Sequence, residues 1–529
     1  MSSSASIAPA PAANIVQSNP PAVSSRQSAD YDTAYPIEVR KYLRTYGLTP
    51  PAVESFETQE KRCLQLLENK QNPIDKYQYL THLRNTNVNL FYRLLSGNVK
   101  EITPVIYTPT VGEACQRWSE IYTQPEGMYL SFSDKGNLHS IIQNWPHNVE
   151  ITVVTDGSRI LGLGDLGING MGIPQLRNDP LYMGSRRDKV TADEEREFLD
   201  ELMAALTERW PGIVIQYEDF KNPFPSLERY QNTYTMFNDD IQGTGAVILG
   251  GFINGVKQSK VAAADQRAVF FGAGSAGVGV AKQLVEFFMN EGLTEDQARK
   301  CFWLVDSKGL ITNDRGDKLA EHKLYFSRDD NEGQQYKTLE DVIEYVKPTI
   351  LMGLSTIGGA FTPEIIKRMA ELNKMPDAIK YTEGRVLFAS GSPFPALEYN
   401  GQTLEPGQGN NMYVFPGVGL GAILSKAVNV TQSMIYASGK ALSESLLPEE
   451  IEKNWMYPDI RRIREVSVVV TCGVIRAAQE AGVDRELGLR NMDDKALTEY
   501  VQKRMYDPFT EGKKVQDEVK ELASHLSKL

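Results

Sequence analysis

No stretch of this 529-residue chain approaches the ~20 apolar residues that a helix needs to cross a bilayer. The longest apolar run, Ala246–Val256, is interrupted by Gly250, Gly251 and Asn254, so no membrane partner is expected. Cysteines are scarce. Cys63, Cys115, Cys301 and Cys472 stand apart with no CxxC spacing, which points away from a zinc site or a disulfide framework and toward a reducing compartment. Positive charge is also short, with 56 Lys and Arg against 68 Asp and Glu, a net charge of −12 and a pI near 5.2. Sequence-independent nucleic-acid binding rests on cations that neutralise phosphates, so no nucleic-acid partner is expected. No internal repeat is visible, and 42 Gly and 27 Pro are too few for a collagen-like or wholly disordered chain. What remains is ordinary globular composition, and at about 150 residues per domain the length predicts three or four domains.

Residues 1–30 are rich in Ser, Ala and Pro and hold no charged residue before Arg26, a composition that cannot bury a core and predicts a disordered tail. A mitochondrial presequence would be Arg-rich and amphipathic; with Arg26 alone, a cytoplasmic location is expected and a mitochondrial one is the alternative. Residues 57–98 predict helix, with Leu64, Leu66, Leu67, Leu80, Leu83, Leu90 and Phe91 as its apolar positions. Beyond residue 150 the pattern alternates. Strands are predicted at Ile151–Thr155, Ile213–Tyr217, Ala268–Phe271, Phe302–Val305, Thr349–Met352 and Arg385–Ala389. Between the first two, Thr191 and Glu194 read as a capping box, followed by a helical stripe of Phe198, Leu199, Leu202, Met203 and Leu206. Such alternation predicts an α/β protein with a mostly parallel sheet covered on both faces.

The sharpest local motif is Gly272-Ala273-Gly274-Ser275-Ala276-Gly277, a GxGxxG directly after the strand Val269-Phe270-Phe271 and at the start of an amphipathic helix. Gly272 permits the tight turn, Gly274 lets a pyrophosphate approach the backbone, and Gly277 lets helix and strand pack closely. Free N–H groups at the helix start attract the phosphates. The next strand ends at Asp306, where a carboxylate can bind the adenosine ribose. Ser307, Lys308 and Lys323 nearby suit a 2′-phosphate instead, so NAD and NADP both remain open.

Two acidic pairs point to a metal. Glu218-Asp219 follow a predicted strand at its carboxyl end, and Asp239-Asp240 precede a second loop-to-helix junction, Ile241-Gln242-Gly243-Thr244-Gly245. Oxygen ligands without neighbouring His or Cys suit Mg²⁺ or Mn²⁺. Adjacent acids also cap helices, the ordinary reading of any single pair.

Five segments carry a resemblance. Tyr107-Thr108-Pro109-Thr110-Val111-Gly112, the stretch Thr155–Asp165, Glu218-Asp219-Phe220, Phe237–Thr244 and Gly407-Gln408-Gly409-Asn410-Asn411 resemble malic enzyme motifs, in family order over roughly residues 75–510. The resemblance implies conversion of malate and NAD(P)⁺ to pyruvate, CO₂ and NAD(P)H with a divalent metal, and a homo-oligomer, the family's tetramer. It implies a helical region at 31–125, a substrate and metal domain at 126–238 completed by 411–500, and a Rossmann-like nucleotide domain at 239–410. A helical segment at 501–529 would close the chain. Glu218, Asp219 and Asp240 would ligate the metal, Tyr107 would protonate the enolpyruvate carbon, and Arg159 would fork onto a malate carboxylate. Asn410 and Asn411 would hydrogen-bond substrate or cofactor.

The sequence also departs from that pattern. In the family, the Gly-Met-Gly-Ile-Pro segment is followed closely by a lysine that takes the malate hydroxyl proton. Here Gly170-Met171-Gly172-Ile173-Pro174 runs directly into Gln175-Leu176-Arg177-Asn178-Asp179, as if a segment holding that lysine and a strand were excised. Arg177, Arg186 and Arg187 stay protonated and cannot replace it, and Lys189 beside Asp188 reads as surface. Asp239 is the nearest substitute, and with an ordinary carboxylate pKa it would be a poor base. After Lys374-Met375-Pro376 the family's apolar strand and Ser-Asn-Pro loop are missing as well.

Overall fold

The computed structural model describes residues 32–510 apart from 43–44, 162, 164, 166, 168–182, 184–189, 356–358, 374–386, 392–395, 400–401 and 405, together with 517 and 521. The tail at 1–30 and the sequence around the predicted lysine gap lie outside the described residues. The chain divides into two compact units, one holding the described residues up to Val149 and from Met505 onward, the other those from Glu150 to Arg504.

In the first unit the predicted helical stretch is cut by polar residues that cap rather than continue a helix. Phe56–Glu68 starts at Ser55, whose hydroxyl accepts from the Thr58 N–H, and Val88–Gly97 starts at Asn87, whose side chain accepts from the Leu90 N–H. Pro73–Thr86 lies between them. Their apolar faces, with the following helix Val99–Ile106, bury Leu67, Leu80, Leu83, Leu90, Phe91, Leu94 and Ile102 together. Under this core Arg93 meets Asp32 at 3.2 Å and Gln59 at 3.1 Å, so the buried charge is paired.

The second unit is α/β. Strands β1 (Ile151–Val154), β2 (Val214–Tyr217) and β3 (Met236–Asn238) form a parallel sheet in that order. The helix Ala192–Arg209 joins β1 to β2; its capping box at Thr191 and Glu194 forms as predicted, and it buries Leu199, Leu202, Met203 and Leu206. The second sheet contains β4 (Ala268–Phe271), β5 (Phe302–Asp306), β6 (Gly309–Leu310) and β7 (Ile350–Gly353), in the order β6-β5-β4-β7. β4, β5 and β7 are parallel, and β6 turns back antiparallel on β5. Helices Thr244–Ser259 and Ser275–Asn290 cover one face through Leu249, Phe252, Leu284 and Phe288, which pack on Phe270 and Phe302. Leu339–Val346 and Pro363–Leu372 cover the other through Val342, Ile343 and Ile365, which pack with Val269 and Val305. Helix on both faces explains the near-continuous apolar runs of β4 and β5.

The predicted strand at Arg385–Ala389 is seen as β8, Ala389–Ser390, because 385–386 lie outside the described residues. β9 (Leu397–Tyr399) and β10 (Gln402–Leu404) make a hairpin, and β11 (Gly407–Gln408) pairs in parallel with β8. Among the described residues, β7 is hydrogen-bonded only to β4, and the β8–β11 pair is not joined to it. The three apolar residues of β7 are half-buried where the first three of β4 are buried. Helices Phe415–Ser425, Gln432–Glu444 and Ile463–Glu480 complete the unit around Val418, Met434, Val470 and Val474. Among the described residues, no helix is long and apolar enough to cross a membrane.

Candidate active site

The predicted acidic pairs converge because β2 and β3 are neighbours in one parallel sheet and both acid pairs sit at its carboxyl ends. Carboxylate oxygens of Glu218, Asp219 and Asp240 all lie within 4.8 Å of one another. Asp219 takes a left-handed backbone, φ 60°, uncommon for a residue with a side chain. Three bonds hold it there: its N–H donates to Asp240 Oδ2 at 2.7 Å, its carbonyl accepts from the Arg159 N–H at 3.0 Å, and its Oδ1 accepts from the Leu161 N–H at 3.1 Å. A strained conformation held by its surroundings is common where a ligand is clamped.

Burial, reinforced by the neighbouring negative charges, raises all of these acids. It carries Asp219 to about 7, and it pushes Glu218 and Asp240 upward too, with the Asp219 N–H and Arg159 acting to lower Asp240. Carboxylates that repel one another in a partly dry site are those a cation would stabilise. The donor set is all oxygen, with no His or Cys among the three ligands. These residues fit a hard divalent cation.

Asp239 departs from its expected ordinary pKa: burial raises its carboxyl, against the opposing Asn411 amide. Asn411 donates to Asp239 Oδ2 at 2.8 Å and to Thr244 Oγ1 at 3.1 Å, so it binds the acid cluster to the helix Thr244–Ser259. Asn410 caps the short turn Asn411–Tyr413, its side-chain oxygen accepting from the Met412 N–H at 3.0 Å. Arg159 is exposed beside the cluster. Tyr107 belongs to the first unit, half-buried at the end of the helix Val99–Ile106, its N–H bonded to the Thr103 carbonyl at 2.8 Å.

The glycine motif lies between β4 and the helix Ser275–Asn290. Its glycines differ in what they allow. At Gly272, φ 126°, a Cβ would stand 2.5 Å from the Leu354 backbone, and at Gly277 it would stand 2.0 Å from the Gly272 carbonyl oxygen. At Gly274 nothing lies within 4 Å. The first and third are therefore demanded by the fold, whereas the second opens onto free space beside the exposed Ala276 at the helix start, a cradle that a phosphate fits.

Asp306 ends β5 with both oxygens engaged. Oδ1 accepts from Arg315 Nη1 at 2.7 Å and the Lys308 N–H at 2.9 Å; Oδ2 accepts from Arg315 Nη2 at 3.0 Å and Lys323 Nζ at 2.7 Å. Burial alone would raise this carboxyl, but Arg315 and Lys323 hold it at about 2. Lys308 Nζ reaches Asp317, and Ser307 is exposed. In the sequence Arg315 carries no signal beyond being a lone arginine nine residues past the strand-end acid.

The comparisons with known proteins agree on one lineage. The family model described as malic enzyme, N-terminal domain, matches residues 84–175 and 174–231, and that described as malic enzyme, NAD binding domain, matches 241–377 and 374–479. The chain belongs to the malic enzyme family. An NADP-dependent malic enzyme of Dictyostelium discoideum is 41% identical over 518 positions, covering 88% of this chain and 95% of its own. One from Rattus norvegicus is 38% identical, covering 84% and 86%. Among solved structures, the malic enzyme of Entamoeba histolytica matches with a TM-score of 0.51 at 20% identity over 92% of this chain and 93% of its own, which speaks for the fold. The malic enzyme matches on either side of residues 174–175 and 374–377 are broken at those points, the two places where the sequence departs from the family pattern.

Proposed function

We propose that this site performs the malic enzyme reaction: malate is oxidised and decarboxylated to pyruvate and CO₂, NADP⁺ takes the hydride, and a divalent cation is held by Glu218, Asp219 and Asp240. The observation that carries the reading is the convergence of three oxygen ligands at the carboxyl end of one parallel sheet, in a chain of this family. A bound Mg²⁺ or Mn²⁺ would supply Lewis-acid polarisation of the substrate oxygens. Arg159, exposed beside the acids, binds a malate carboxylate; Asn411 holds Asp239 in place; Asn410 shapes the adjoining turn. Tyr107 delivers the proton that the enolpyruvate carbon takes up.

NADP is the preferred nucleotide in this reading. The acid that would bind a ribose hydroxyl is already engaged by Arg315 and Lys323. Around it Arg315, Lys323 and Lys308 outnumber Asp306 and Asp317, leaving an excess cation for a 2′-phosphate. The relatives described above carry NADP-dependent in their names.

A second reading has its own support: this chain keeps the metal and nucleotide sites but lacks parts that turnover needs. The 518 positions aligned to the Dictyostelium enzyme cannot be filled by 88% of 529 residues, so part of that relative lies opposite no residue here. No lysine occurs between Gly172 and Lys189. Assaying malate-dependent NADPH formation with Mn²⁺, alongside Mn²⁺ and NADPH binding, separates the two: turnover supports the first reading, and binding without turnover supports the second.

A further inference from the structure

Each of the three clustered carboxylates has one oxygen tied by an N–H, but not by the same kind of donor. Asp219 Oδ1 is held by the Leu161 backbone and Asp240 Oδ2 by the Asp219 backbone. Glu218 Oε2 is held at 3.2 Å by a side chain, the amide of Gln216.

Strand geometry explains how it reaches. Alternate residues share a face, and the β1–β2 ladder continues through the Glu218 N–H, which donates to the Val154 carbonyl at 3.0 Å. Gln216 and Glu218 therefore project from the same side of the sheet. Gln216 is buried, and its sheet neighbours are Val153 on β1 and Phe237 on β3. It lies on the floor of an apolar groove of about 370 Å³ walled by Ile151, Val153, Phe415, Leu420 and Ile423. A buried amide in such a place is costly unless bonded, so an apolar residue would suit packing better. We infer that Gln216 is a positioning residue for metal binding, fixing one oxygen of Glu218 so that the other faces the cation held with Asp219 and Asp240.

This rests on the metal reading proposed above, and the experiment tells the two apart. Mn²⁺ binding to the full chain is titrated calorimetrically without malate or nucleotide, beside NADPH fluorescence titration and a metal-free thermal melt. Saturable Mn²⁺ binding in the parent is expected; its absence overturns the metal site and the role of Gln216 with it. Gln216→Met keeps the length and removes the N–H. Its Mn²⁺ dissociation constant should rise about 10- to 100-fold, the usual effect of losing a ligand's supporting hydrogen bond. NADPH affinity should stay at the parent value and the metal-free melting temperature should not fall, whereas loss of a packing role would lower it. Gln216→Asn retains the amide on a shorter arm and should show the same loss; it decides the matter if the Met variant does not fold. Mn²⁺ affinity within threefold of the parent in a folded variant overturns the assignment.

Discussion

The backbone N–H of Asp219 donates to Asp240 Oδ2 at 2.7 Å, so two of the three clustered carboxylates are joined through the main chain rather than by side chains alone. Removing Asp240 therefore takes away a ligand and releases the backbone that holds Asp219 at φ 60°. Asp240→Ala should abolish saturable Mn²⁺ binding in calorimetry. Unchanged binding would remove Asp240 from the site.

The raised carboxyls set the sign of a pH effect. Asp219 ionises at about 7 in the metal-free fold and near 4 in an unfolded chain. Below both values the group is protonated in either state and costs nothing. As pH rises from about 4 toward 7 the unfolded state loses its proton first, so folded stability falls across that window. Asp219→Asn removes this penalty, and asparagine tolerates the left-handed backbone. The metal-free variant should gain stability over the parent, of order 4 kcal/mol at pH 8 and near zero at pH 4. Denaturant melts in EDTA across that range check it; a gain that is flat with pH contradicts the assignment.

The glycine motif separates folding from ligand binding at single positions. Gly274→Val places its Cβ where nothing lies within 4 Å, so the fold should survive while the pyrophosphate loses its space. NADPH fluorescence titration should show no binding and the melting temperature should match the parent. Gly277→Ala should do the reverse first, lowering the melting temperature, because its Cβ meets the Gly272 carbonyl at 2.0 Å. Normal NADPH affinity in the Val variant would place the nucleotide elsewhere.

Lys323 tests nucleotide choice. Its ammonium sits 2.7 Å from Asp306 and is mostly shielded from solvent, a positioned cation rather than a loose surface lysine. Lys323→Gln should weaken NADP⁺ by roughly tenfold, the loss of one charge-assisted bond of about 1.5 kcal/mol, and leave NAD⁺ within about twofold. Equal losses for both nucleotides would mean that Lys323 supports the loop rather than reads the 2′-phosphate.

Much of this was legible in the sequence because it depends on local pattern. Val269–Gly277 carries strand, turn and helix in one stretch, and Thr191 with Glu194 announces a helix start that forms as written. The acid pairs were legible as chemistry, but their meeting was not, since it requires β2 and β3 to be neighbours. Gln216 and Arg315 were invisible for the same reason: each acts through a partner that only the fold supplies. The expectation of an ordinary pKa for Asp239 failed because burial is not a property of the residue but of what packs around it.

The final prediction is that this chain, as written, turns malate over poorly. The hydroxyl proton needs a base, and the lysine that the family resemblance supplies is missing between Gly172 and Lys189. Asp239 now fails for a different reason than an ordinary pKa. Raised by burial, its carboxyl is suited to accept a proton near neutrality, but access is closed. Its Oδ2 accepts from Asn411 at 2.8 Å, and its Oδ1 is buried against Gly243, where even an added Cβ would stand 1.9 Å away. Loss of general-base assistance costs about 10²–10⁴-fold. Malate-dependent NADPH formation with Mn²⁺ should fall at least about a hundredfold below the ~10 s⁻¹ typical of enzymes. Inserting at Pro174–Gln175 a segment that carries a lysine supplies a base without replacing any residue of the acid cluster. Full turnover in the unaltered chain would show that another group has taken the proton; recovery only after the insertion would place the loss in the missing segment.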